Sequence, residues 1–288
     1  MPYIGARPLQ RLNTQDIETW HTTLMVSGRK PRKGYEEEEG GLSARTVGHA
    51  HRLLSKALNE GMRHGLVARN VCRLQGAPKV VTKEVEILTP EQVNELPTLL
   101  HGHALEAPAL VSLHTGMRRG ELLALRWGNV DFEEEKILVR ESLEQTRVGL
   151  RFKEPKSKAG NRDITLPAIV VDILQVHRKR DLERRLRLGQ GRPGERDLVF
   201  PTFDGTPWAP NNLSSDWSKL SSEIGLGVSF HALRHTHASY LFDLGIDPVT
   251  VSKRLGHASP AVTLSIYAHL IRQDDRKAAK AINTALGR

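Results

Sequence analysis

The sequence predicts a mainly α-helical α+β protein, with a small antiparallel β-sheet and two domains. Three observations predict it. Apolar residues recur at helical spacing behind capping residues through most of the chain. The interval 136–166 instead holds short stretches of strand-like residues. Gly76–Val85 has no helical stripe and reads as a linker. The domain boundary is expected near residue 82, giving a helical unit over 1–80 and a larger unit over 81–288.

The first helix starts at Asn13-Thr14-Gln15-Asp16, where Asn13 or Thr14 can cap, and runs through Ile17, Trp20 and Leu24. The polar stretch Ser27–Gly41, which includes the acidic run Glu36–Glu39, reads as a loop. Ser43 caps a second helix whose apolar face runs Val47, Ala50, Leu53, Leu54, Ala57, Leu58 and Met62, with Gly65 suited to its end. Beyond the linker, Thr89-Pro90 marks a new helix start, since proline is tolerated in the first helical turn. Lys136–Arg140, Leu150–Lys153 and Arg162–Leu166 are short strand candidates, with Lys156–Asn161 as the turn between the last two. Ala168–Leu188 is a helix with an Arg/Lys-rich second half. Asp247-Pro248 and Ser259-Pro260 open two late helices, separated by Gly256, which suits a left-handed helix end. Residues 276–286 form a terminal helix.

Charge narrows the partner class. The chain carries 42 Lys and Arg against 33 Asp and Glu, a net charge of +9. A pI near 9.8 favours a polyanion. The excess is concentrated in residues 1–80, which hold 13 basic against 7 acidic side chains. The one cysteine, Cys72, excludes an internal disulfide framework and a cysteine metal cluster, and reads as a packing residue. No apolar run reaches membrane-span length and the N-terminus lacks a secretory core, so a cytoplasmic protein without a membrane partner is expected.

Six positions could carry chemistry. Arg118 opens a helix after Thr115-Gly116, where a guanidinium can grip two phosphate oxygens, and Glu121, three positions on, can orient Arg118 or His231. Lys158 sits at the expected hairpin tip, with Lys153, Lys156 and Arg162 as alternatives on chemistry alone. His231 and Arg234 are three apart on one helix face, with Leu233, Leu241 and Leu244 on the face towards the core. His257 follows Gly256 in a tight turn. Tyr267 lies on the last capped helix, whose apolar stripe is Val262, Ile266 and Leu270. His231 with His235 also has the spacing of a zinc pair, but no third ligand follows, so no metal or cofactor is expected. Taken singly, each has an ordinary structural reading, such as a packed aromatic, a turn histidine or a solvated arginine pair.

The order and context of the set are more specific. The segments Thr115-Gly116-Met117-Arg118-Arg119-Gly120-Glu121, Pro155–Arg162 around Lys158, His231-Ala232-Leu233-Arg234-His235-Thr236 and Leu255-Gly256-His257, with Tyr267 ten residues on, resemble the tyrosine recombinase (phage integrase) family over roughly residues 86–280. The resemblance implies a site-specific recombinase that cuts and rejoins DNA through a 3′-phosphotyrosine, without ATP or metal. Tyr267 would be the nucleophile. Arg118 and Arg234 would hold the non-bridging oxygens, and Lys158 would protonate the leaving 5′-oxygen. His231 would act as general base or acid on the tyrosine proton, and His257 would hydrogen-bond the phosphate. It further implies a clamp on double-stranded DNA, a homo-tetramer on two DNA sites with the terminal helix docked on a neighbour, and accessory DNA-bending or directionality proteins. Two departures stand out. Ala232 stands where the family often has an acidic residue. Only two or three helices fit residues 1–80, so the N-terminal DNA-binding unit (a SAM-like helical domain) is expected to be partial, with no arm-type module before it. A DNA-binding relative that no longer recombines, and a metal-dependent nuclease built on the histidines, are the competing readings.

Overall fold

A computed structural model describes residues 3–29, 40–81, 85–155 and 158–267, together with 283, 284 and 286. The acidic run 36–39, the boundary near residue 82, and nearly all of the terminal helix 276–286 lie outside the described residues. The chain divides into two compact units, 1–84 and 85–288.

In the first unit, α1 (Thr14–Ser27) begins at Asn13, whose side chain accepts from Asp16 N–H while Asp16 accepts from Asn13 N–H. This reciprocal pair satisfies two orphan donors at the helix start. Helix α2 (Ala44–Arg63) is capped by Ser43, and a short α3 (Val71–Gln75) by Asn70. Ile17, Leu58, Val71 and Cys72 form the core of this unit. The α2 stripe is only partly used: Val47 and Leu58 are buried, but Leu53 is 74% exposed, and Gly48, His51 and Gly61 take core positions instead. His51 is buried because its ring meets His21 of α1 at 3.1 Å, a polar pairing that apolar spacing does not reveal.

In the second unit, α4 (Pro90–Leu99) starts at the Thr89 cap. Helix α5 (Glu106–Thr115) is buried almost all round and packs against α7 (Ala168–Arg187) and α9 (Phe230–Asp243). Helix α6 (Arg119–Leu123) is a single short element after the Gly116 turn. Strands β1 (Val130–Asp131), β2 (Lys136–Val139) and β5 (Arg162–Thr165) form one antiparallel sheet in the order β1-β2-β5. Strands β3 (Ser142–Thr146) and β4 (Gly149–Lys153) form a separate antiparallel hairpin. Lys158 is therefore not at a hairpin tip. It starts a 3-10 turn, Lys158–Gly160, in the crossover between β4 of one sheet and β5 of the other. The segment Ser-Leu-Glu-Gln-Thr carries little strand signal of its own, so β4 had no visible partner in the sequence but β5. Helix α8 (Pro210–Glu223) precedes α9, followed by α10 (Pro248–Leu255) and α11 (Pro260–Tyr267).

Candidate active site

The site is assembled around two left-handed turns. Gly116 (φ 67°) ends α5 and Gly256 (φ 66°) ends α10. Each turn exposes carbonyls that a continuing helix would have used. Arg234, on α9 and 2% exposed, donates to both turns: to Gly116 O at 2.6 Å and to Leu255 O at 2.8 Å. Arg118 donates to Gly256 O at 2.8 Å from the other side. A β-carbon at Gly116 would stand 2.7 Å from both the His237 ring and Leu255, so this crowding as well as the backbone angle demands glycine.

Arg118 is aimed by Glu121. The buried carboxylate accepts from Arg118 N–H (2.9 Å) and from the Arg118 guanidinium (2.8 Å), and on its other side from Arg162 (2.9 and 3.2 Å). Burial alone would raise the Glu121 pKa. The Arg162 hydrogen bonds and the Arg162 and Arg118 charges outweigh it and hold the carboxyl below its usual range. Arg162 also donates to Arg254 O at 2.7 Å and to Gly160 O at 3.3 Å, tying the Lys158–Gly160 turn to the end of α10. Arg254 donates to His237 Nε2 (3.1 Å), while His237 Nδ1 donates to Leu113 O (2.9 Å), which fixes that tautomer. Burial, with Arg254 beside it, depresses the His237 pKa to about 3, so the ring is neutral. Burial, and secondarily Arg118, push the Arg234 pKa down to about 9, which still leaves it charged at neutral pH.

Tyr267 is 1% exposed and packs its ring on Phe242, with centroids 5.7 Å apart. The fully buried residues of α11 are Thr263 and Tyr267. Of the expected apolar stripe, Ile266 packs partly buried against the same core, Val262 is 40% exposed, and residue 270 is outside the described residues. Burial raises the phenol pKa to about 12, against an opposing pull from Arg234. Its hydroxyl meets His235 Nδ1 at 2.6 Å. His257 bonds Thr263 Oγ1 through Nδ1 (2.7 Å), and burial, then Arg234 and Arg118, lower its pKa to about 4. His231 is exposed overall and stacks edge-on against His235. Packing around its ring, then His235 and Arg234, favour the neutral imidazole. Together with Arg118, Arg119, Ser142 and Asn211, His231 lines a cleft of about 530 Å³.

Four of the six expected residues thus converge: Arg118, Arg234 and His257 on the Leu255–Gly256 turn, and Tyr267 on the helix after it. His231 stands beside them in the cleft. Lys158 is placed by its backbone, next to Ala159, whose carbonyl a β-carbon at Gly256 would approach to 3.0 Å. Of its alternatives, Lys153 is paired with Glu144 and Arg162 with Glu121, while residue 156 is outside the described residues. Of the three leucines expected to face the core from α9, Leu233 is fully buried and Leu241 partly so, but Leu244 is 75% exposed; Arg234 and His237 are buried as well. Sequence alone offers His235 and the neighbouring His237 only as metal candidates and does not single out Arg254. Among the described residues no group of three or more His, Cys, Asp or Glu is arranged to hold a metal.

Residues 86–274 match the phage integrase family. The chain belongs to that family. It is 30% identical over 261 residues to a tyrosine recombinase XerC-like protein of Caldanaerobacter subterraneus subsp. tengcongensis, covering 84% of this chain and 67% of the relative. It is 27% identical over 240 residues to a putative prophage phiRv2 integrase of Mycobacterium tuberculosis, covering 82% and 61%. The chain thus spans about two thirds of the length of such integrase relatives. Among solved structures, the Tn1549 transposon integrase in complex with transposon right end DNA superimposes with a TM-score of 0.78 at 22% identity, over 98% of this chain and 87% of that one. A lambda integrase tetramer bound to a Holliday junction superimposes with a TM-score of 0.60 at 18% identity, over 93% and 68%. These likenesses establish the integrase catalytic fold.

Proposed function

We propose that this integrase-family chain is a site-specific recombinase that cleaves and rejoins double-stranded DNA through a 3′-phosphotyrosine on Tyr267. The observation that carries it is the convergence of Arg118 and Arg234 on the Leu255–Gly256 turn, with His257 following in sequence and Tyr267 on the helix that succeeds it. A phosphoryl transfer needs charge stabilisation on the non-bridging oxygens more than covalent help. Two guanidiniums, one fully buried and pre-aimed, supply it without reorganising during the reaction. Arg118 and Arg234 hold the scissile phosphate, His257 donates a hydrogen bond to it, His231 serves as general base or acid for the tyrosine proton, and Lys158 protonates the leaving 5′-oxygen. The bond energy is conserved in the phosphotyrosine, so the resealing step needs neither ATP nor metal. Residues 1–80 act as the DNA-clamping unit and residues 81–288 as the catalytic unit. A homo-tetramer on two DNA sites, with accessory DNA-bending or directionality proteins, would then integrate or excise a mobile element in the cytoplasm, where that DNA is accessible. Among the described residues no helix is long and apolar enough to cross a membrane.

The test is incubation with labelled nicked duplexes from DNA flanking the gene, in EDTA, followed by denaturing electrophoresis. A detergent-resistant protein–DNA band that disappears in Tyr267→Phe is expected. Strand cleavage abolished by EDTA, or an undiminished band in Tyr267→Phe, would overturn the proposal.

A further inference from the structure

A phenol that attacks phosphorus must lose its proton, and the structure puts one imidazole directly on that hydroxyl. His235 Nδ1 lies 2.6 Å from Tyr267 Oη, with the rings 5.6 Å apart and tilted. His231, to which the family resemblance gives the tyrosine proton, is one helical turn back on α9 and meets His235 edge-on, with centroids 4.6 Å apart. We propose that His235 holds the attacking tyrosine in place and is the immediate acceptor of its proton, an assignment that rests on Tyr267 being the nucleophile.

The geometry defines the roles of both partners. Burial, and then the adjacent Arg234, favour the neutral imidazole at His235, while Glu86 on the segment before α4 pulls the other way. His231 and Arg234 on its own helix, Glu86, and Tyr267 from α11 are the charged and titratable groups that face it. A neutral ring whose Nδ1 faces an O–H accepts through Nδ1 and carries its proton on Nε2. The phenol is buried, so an ionised tyrosinate waiting for substrate is disfavoured, and the proton must leave as the bond to phosphorus forms. The step balances. The Tyr267 Oη–P bond forms and the P–O5′ bond breaks. The phenolic proton passes to His235 Nδ1, and the 5′-oxygen departs with the proton of the general acid. In resealing, the 5′-hydroxyl attacks phosphorus and gives its proton back to the general acid, the P–O5′ bond forms as the P–Oη bond breaks, and the imidazolium returns its proton to Tyr267 Oη. Because His235 directly follows Arg234, one helix carries both the phosphate clamp and the proton acceptor.

His235→Asn tests this, since the asparagine oxygen can accept the tyrosine hydrogen bond but cannot take a full proton. Adduct formation is followed on an ordinary nicked duplex and on one with sulfur replacing the 5′ bridging oxygen, whose thiolate leaves without protonation. The expected result is a loss of about 100-fold or more on both duplexes, with the residual rate rising from about pH 6 to about pH 9 as solvent base takes over. Lys158→Ala should recover on the sulfur duplex. A near-wild-type rate in His235→Asn on both duplexes, with the wild-type pH profile, overturns proton acceptance. If wild-type protein forms no adduct on any duplex, the reading of Tyr267 as nucleophile falls instead. Nitrogen-15 NMR of the histidines tests the contact without DNA. At neutral pH the His235 ring should be protonated on Nε2 alone, and its Nδ1 resonance should move in Tyr267→Phe. A ring protonated on Nδ1, or one indifferent to that substitution, contradicts the proposal.

Discussion

At the scale of single residues, the site depends on two groups that hold others. Glu121 is a buried carboxylate between two guanidiniums, and it orients Arg118 while anchoring Arg162. Removing one partner of a buried ionic network costs far more than an exposed pair would suggest, because the remaining charges stay desolvated. Glu121→Gln is expected to destabilise the fold by about 3 kcal/mol in urea titration and to slow adduct formation. The linkage has a definite sign. The folded-state pKa of Glu121 lies below its ordinary value of 4.5. Its contribution is thus present above that value and lost as pH falls through the folded one. Acid unfolding of Glu121→Gln should be correspondingly less steep. Gly116→Ala tests the turn instead. A left-handed non-glycine residue costs about 1–2 kcal/mol, and the new methyl would also displace His237 or Leu255. A lowered melting temperature is expected, with a larger loss in cleavage than the stability change explains, since Gly116 O also positions Arg234.

At the scale of elements, α1 and α2 meet through a buried histidine pair. His21 Nε2 and His51 Nδ1 are 3.1 Å apart, and both residues are buried. Burial is the main cause lowering both pKa values, with His51 further lowering His21. The unfolded histidines titrate near 6.5 and the folded ones below it. As pH falls below about 6.5 the unfolded chain binds protons first, so the helical unit loses stability. Thermal melts between about pH 7.5 and about pH 5 should show this loss, and His51→Gln should flatten it. A pH-independent wild-type melt would contradict the pairing. How much of these elements is visible in sequence follows from the range of the interactions that build them. The Asn13, Ser43 and Thr89 caps, Asp247-Pro248 and the Gly256 turn are signals spanning a few residues, and they stand where the sequence predicts. Strand β3 was not visible, because its sequence is polar and its partner β4 supplies the reason it is a strand. The ties of Arg162 to Arg254 and of Arg254 to His237 join residues 92 and 17 positions apart, and no spacing rule reports them. The same holds for His235 and Tyr267, which local reading separates into a metal candidate and a packed aromatic.

At the scale of the whole molecule, a net charge of +9 and an integrase catalytic fold lead to the expectation of phosphate-dominated binding. Affinity for duplex DNA should fall linearly on a log–log plot against salt, by about 0.9 decades per decade for each phosphate neutralised. Fluorescence anisotropy from about 50 to about 200 mM salt measures this, and a flat plot would contradict the DNA assignment. The motif set spread over 118–267 was legible because its order survives in sequence, even though Arg118 and Arg234 reach the Leu255–Gly256 turn only in three dimensions. Chemical identification of the modified residue tests the central claim most directly. Adduct formed on a nicked duplex is trimmed with nuclease, digested with trypsin and sequenced by mass spectrometry. A 3′-phosphonucleotide on Tyr267 is the predicted result. A nucleotide on any other residue, or an adduct that persists in Tyr267→Phe, would contradict it.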